Sequence, residues 1–234
     1  HSPSGFSKRK PSCVGRGPKC NCDIDSSKFR SRRGLGRFGS ENSDLPAFCV
    51  LISNGTGRPG SQPVYTKLWS NGFLPGLHQG VQLRGGKAPV LYLNSQPGEN
   101  VESRRRMIGR IGDLNRMQYE TFGDPEIVTR IAQYEMAFRM QMSVPDATDI
   151  SREPQSILDL YGPECRVPGK FSANALLARR LAERGVRFVQ LYHRGWDQHG
   201  GLIGALPKQC KDTDQACAAL ITDLKQRGML EDTL

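Results

Sequence analysis

The chain has 234 residues, enough for one large domain or two small ones, and 37% of them are hydrophobic, which is ordinary for a soluble globular protein. No window approaches the roughly 18 consecutive apolar residues of a membrane-spanning helix, so a transmembrane span is excluded. The net charge of +10 invites a nucleic-acid reading, yet residues 1–40 hold ten Lys or Arg against two Asp, and the remainder is nearly balanced at 23 basic and 21 acidic residues.

A basic groove built into a fold would spread over its elements, with aromatics interleaved for stacking. Here the excess sits in a Gly/Ser/Pro-rich leader, residues 1–38, expected to be disordered or not native to the fold. Nucleic acid is therefore not the expected partner. Of seven cysteines, Cys13, Cys20 and Cys22 lie in that leader without a zinc-finger spacing. Cys210 and Cys217 are two helical turns apart, too far for a disulfide along one helix, and Cys217 is expected in the core.

In chain order, the run Leu45 to Ser53 is apolar, of strand length and closed by turn residues, which predicts a strand buried on both faces. A loop-rich stretch with Trp69 and His78 follows, and Pro89–Leu93 is a second short strand candidate. From Glu99 the pattern turns helical, with Met107, Ile111 and Leu114 on one face. Asp124-Pro125 offers an N-cap and a first-turn proline to a helix carrying Ile127, Ile131, Tyr134 and Phe138, which Pro145 is expected to end. A short helix runs from Glu153-Pro154 to Leu160. Another spans Phe171–Glu183, with Leu177 and Leu181 inward and Gly185 just past its end.

Val186–Tyr192 is then predicted as a buried strand, and Pro207 or Asp212 to Arg227 as the last helix, with Cys217, Leu220, Ile221 and Leu224 inward. Met229–Leu234 reads as the approach to another strand. Helix, strand, polar loop and helix in this order give an α/β layout with a parallel sheet, in which ligands gather at the carboxyl ends of strands.

The loop at such an end is His193-Arg-Gly-Trp-Asp-Gln-His199. Asp197 and His199, two residues apart in extended chain, point the same way and can reach one ion; carboxylate oxygen and imidazole nitrogen suit zinc, manganese or iron. His193 and Trp196 can wall a pocket or simply close the sheet. Asp212 and Asp214 read as helix-start acids complementing the dipole, or as one acid bracing His199 from behind. Arg104-Arg-Arg106 reads as a solvated helix face. No GxSxG elbow, Walker loop or dinucleotide fingerprint is present.

Leu176–Tyr192, Gly195-Trp-Asp-Gln-His199 and Asp214–Leu234 resemble the domain-of-unknown-function family fifteen-hundred-and-one, as do Gly39-Ser-Glu-Asn42, Leu45-Pro-Ala-Phe48, Phe73-Leu-Pro75, His78-Gln-Gly-Val81 and Arg130–Met136. The resemblance covers about residues 34–234. It implies sulfatase-like proteins of the alkaline phosphatase superfamily, often exported, with an αβα sandwich and a metal-centred site at strand ends. Asp197 and His199 match that site's acid and histidine, with His193, Trp196 and Asp214 as surrounding residues. The metal would be divalent zinc, manganese or calcium, and the substrate a small-molecule or polysaccharide ester of phosphate or sulfate. Family members also carry a glycine-rich acidic strand end, a Glu-Phe-Gly-Arg-Thr motif and a Gly-Arg-Asp-His motif, none of which occurs here. Residues 39–234 are accordingly expected to be a partial domain with an incomplete sheet, inactive by itself. The competing expectation is a non-catalytic member that binds a ligand or partner through the same loop.

Overall fold

Three parallel strands, β1 (Phe48–Asn54), β2 (Val81–Leu83) and β3 (Phe188–Arg194), form a sheet in the order β2-β1-β3. The computed structural model describes residues 42, 44–58, 60, 63–84, 90 and 100–234; the basic leader and, apart from Val90, the strand candidate at 89–93 lie outside them. The apolar run of the sequence becomes the central strand, with Cys49, Val50 and Leu51 fully buried, as a strand covered on both faces requires. Three-residue β2 falls where the sequence reads as loop, because so short a strand shows no alternation.

β3 starts two residues later than expected. Val186 is instead held in the turn after the preceding helix, where its N–H donates to Leu181 O. Among the described strands β3 lies at the sheet edge and is only partly covered, with Phe188 57% exposed, so the expectation of a buried strand does not hold.

Among the described residues, five α-helices accompany the sheet: α1 (Val101–Phe122), α2 (Pro125–Thr148), α3 (Gln155–Tyr161), α4 (Phe171–Glu183) and α5 (Leu202–Gln226). On one face, Cys49, Leu51 and Leu83 pack with Leu177 and Leu181 of α4 and with Met140, Val144 and Ala147 of α2. On the other, Phe48 meets Phe188 edge-on at 4.9 Å and Trp69 lies 6.0 Å from Tyr192. α4 ends at Arg184 with Gly185 in the left-handed conformation, as its sequence predicts.

The end of α2 and the start and inward face of α5 differ from expectation, and the packing of α1 and α2 adds what the sequence left open. Pro145 lies within α2, which runs on to Thr148: a proline near the end removes one donor, and the Asp149 N–H still closes the helix on Pro145 O. The stripe Ile127, Ile131, Tyr134, Phe138 describes only the first half of α2, which faces α1. The second half turns Met140, Val144 and Ala147 into the core. α1 buries none of its residues, and Met107 and Leu114 are 50% and 63% exposed, because its main neighbour is the first half of α2. α5 begins at Leu202, so Asp212 and Asp214 sit in mid-helix, away from the dipole's positive end. Its buried face is Ala216, Ala219, Asp223 and Leu224; Cys217 and Ile221 are exposed. The closing segment forms a 3₁₀ turn at Leu230–Asp232, with no strand among its residues.

A buried ion cluster ties α3, α4 and α5 together. Arg179, with its side chain 1% exposed, meets Glu153 at 2.6 Å, Glu183 at 2.5 Å and Asp223 at 2.9 Å. Arg180 also pairs with Glu153, Arg227 with Glu183 and Asp223, and the Tyr161 hydroxyl donates to Asp223. Three guanidinium groups therefore face three carboxylates.

Candidate functional site

Parallel register places the ends of β1 and β3 side by side, Ser53 beside His193 and Asn54 beside Arg194. Two loops leave that edge, residues 55–58 and 195–201, and α5 follows the second. Gln209 of α5, fully buried, clamps both loops: its Oε1 accepts from Gly57 N–H at 3.2 Å and its Nε2 donates to Arg194 O at 2.8 Å. Gly55 N–H donates to the same carbonyl at 2.9 Å. The approach is so close that a Cβ on Gly55 would lie 2.2 Å from the Gln209 amide and 2.4 Å from Arg194 O. Gly195, with φ 106°, turns the chain out of β3 over Gln209 in a conformation that other residues rarely adopt.

His193 is central to the buried polar part of this edge. Its Nδ1 lies 2.8 Å from Ser53 Oγ and its Nε2 3.6 Å from Asp212 Oδ2, while the ring is edge-on to Phe171 and Trp196. Asp212 is held in turn by the Thr56 N–H at 2.6 Å and the Thr56 hydroxyl at 2.8 Å. Ser53, His193 and Asp212 stand in the order of a hydroxyl, a base and an orienting acid. Ser53 is nonetheless 1% exposed, so the set ties two strands to α5 and does not offer its hydroxyl to a substrate. Cys49 is no nucleophile either: burial pushes its thiol up to about 12.

Burial lowers the His193 pKa below its usual 6.5, against the opposing pull of Asp212, so the folded protein keeps the ring neutral. Because the folded value is the lower one, protonation favours unfolding. Stability is retained above the unfolded pKa and falls as pH drops from about 6.5 towards the folded value. Urea unfolding at pH 7.5 and 5.5 is expected to show this loss, and His193→Gln is expected to remove that part of the pH dependence. An unchanged slope in the variant contradicts the assignment.

Asp197 and His199 come together as the sequence predicts. Asp197 Oδ2 and His199 Nε2 are 3.0 Å apart, on side chains 37% and 75% exposed. Arg58, from the other loop, donates to Asp197 O and pins this turn to the end of β1. The separation is that of an ion pair or hydrogen bond between the two side chains. Among the described residues, no group of three or more His, Cys, Asp or Glu is placed to hold a metal ion.

Trp196, 48% exposed, lies between this pair and His193 in sequence and walls the latter. Of the two helix acids, Asp212 is the one at the edge, and it faces His193, not His199. Asp214 is exposed on α5 near Cys217, whose thiol is raised first by burial and then by Asp214. Sequence reasoning missed Ser53, Thr56, Arg58 and Gln209. One signal was available for the first: Cys49, Leu51, Ser53 and Val189, Leu191, His193 are parallel alternations that each end in a polar residue on the same buried face.

The family described as "Protein of unknown function (DUF1501)" matches residues 35–234. No curated protein and no solved structure matches the chain.

Proposed function

Because the chain belongs to the DUF1501 family, we propose that it is the metal-binding part of a hydrolase acting on phosphate or sulfate esters, on an αβα sandwich of alkaline phosphatase type. The supporting observation is the Asp197–His199 pair: two donors 3.0 Å apart, accessible, at the carboxyl edge of a parallel sheet. Asp197 and His199 would hold a divalent ion there, which would supply polarisation of an ester oxygen and a lower pKa for a bound water. The chain's own residues prepare the place. Gln209 fixes both loops, Arg58 holds the Asp197 backbone, and Trp196 shields the neutral His193 beneath.

The expected result is turnover of phosphate or sulfate monoesters that depends on zinc, manganese or calcium, in a chain extended through the Glu-Phe-Gly-Arg-Thr and Gly-Arg-Asp-His motifs. Asp197→Ala and His199→Ala should each lower it by at least about a hundredfold. The two-donor character of the described site favours a second reading, a non-catalytic member that binds ligand or partner through this loop. Metal binding without turnover in the extended chain would select it. Full metal-dependent turnover in both variants would contradict the assignment of these ligands.

A further inference from the structure

We propose that α1 is a self-recognition helix, and that two copies of the chain pair through it in antiparallel orientation. Ser103, Met107, Arg110, Leu114, Met117 and Thr121 are spaced alternately four and three residues apart, so they form one seam along the helix. Its apolar members lie open: Met107 is 50% exposed, and Leu114 and Met117 are 63% exposed. The opposite requirement, contact with α2, is met by another face, where Ile108 and Gly112 line the crevice against Ile131 and Tyr134. The seam is thus additional to the intramolecular packing.

The spacing of the seam is the same in both directions about Gly112, although Arg110 and Leu114 exchange places. Antiparallel pairing sets Met107 against Met117 of the second copy, Arg110 against Leu114, and Ser103 against Thr121. Arg106 and Glu120 flank it two heptads apart, at equivalent positions. The antiparallel arrangement brings Arg106 of each copy to Glu120 of the other, and twofold symmetry makes the pair twice. Arg110, inside the seam, comes beside Asp113 of the second copy. A charge in such a seam fixes register at some cost in stability.

A parallel pair would instead oppose Arg110 to Arg110 inside the seam and would leave Arg106 and Glu120 on flanks where neither meets the other. The two Arg106–Glu120 pairs, set against one Asp113–Asp113 approach that the neighbouring Arg110 side chains offset, favour a second copy in the antiparallel direction. A helix of 22 residues is about 33 Å long, and one such pair buries less than the roughly 800 Å² per partner of a standard interface. The dimer is accordingly weak and concentration-dependent.

Sedimentation equilibrium of the full chain from about 1 to 300 μM tests this. A reversible monomer–dimer equilibrium is expected, abolished by Leu114→Glu. Arg106→Glu and Glu120→Arg should each weaken it about tenfold, through two lost pairs and new like-charge contacts. The double variant R106E/E120R, which exchanges the charges, should recover it. Since α1 buries no residue, circular dichroism should be unchanged in all four. A chain that stays monomeric throughout overturns the proposal. So does a dimer indifferent to Leu114→Glu, or a double variant as weak as the single ones.

Discussion

Arg179→Ala is expected to lower unfolding stability by about 3–5 kcal/mol, the usual loss when one partner of a buried ion pair is removed. Arg179 occupies the middle of α4, between Leu177 and Leu181, and its guanidinium neutralises Glu153, Glu183 and Asp223 together. Without it, Glu153 and Asp223, 6% and 1% exposed, remain buried near each other with less compensation. Against a total stability of about 5–15 kcal/mol, such a loss leaves the domain marginal. Urea titration at pH 7.5 measures it directly, and a change below about 1 kcal/mol would show that the cluster is neutral in net stability.

The same cluster sets an acid limit. Burial raises the Glu153 pKa, but the hydrogen bonds and charges of Arg179 and Arg180 outweigh it and hold the carboxyl below its usual 4.5. The folded value is thus depressed. The stability it supplies is fully present above about 4.5 and is lost as pH falls through the folded pKa. This window opens at lower pH than that of His193, and Arg179→Ala should flatten only the Glu153 part.

Gly55→Ala is the second large effect expected, about 2–3 kcal/mol of destabilisation from overpacking. The new methyl meets both a flexible amide and a backbone carbonyl, and only the amide can step aside. If Gln209 moves, the Gly57 N–H loses its partner, Arg194 O keeps only the Gly55 N–H, and the clamp between the two loops opens. Gly55→Ala should therefore also loosen the turn bearing Asp197 and His199. Thermal unfolding together with amide exchange at residues 195–201 checks both parts. Unchanged exchange in a destabilised variant would separate the clamp from the turn.

Elements whose sequence carries its own period or punctuation were legible: the apolar central strand, α4 between its leucines and Gly185, and α2 from Asp124-Pro125. The Asp197–His199 pair was legible too, because two residues of one short turn need no tertiary information to meet. What stayed hidden depends on partners far away in the chain. Nothing local marks Arg179 as buried, since an arginine flanked by leucines on a helix reads as a solvated face until Glu153 and Asp223, distant in the chain, join Glu183 of its own helix around it. Gln209 is silent for the same reason. The start of α5 is hidden because Pro207 resembles a helix start, and the shared face of Met107, Ile111 and Leu114 on α1 does not say what that stripe will meet.

Isothermal titration of zinc into the metal-free chain tests the assignment of the strand-end loop. One binding event per chain is expected, weakened at least about a hundredfold in Asp197→Ala and in His199→Ala. Ser53→Ala, which changes only the buried tie to His193, should leave it within about tenfold. Equal zinc affinity in the unaltered chain and in both ligand variants would contradict it.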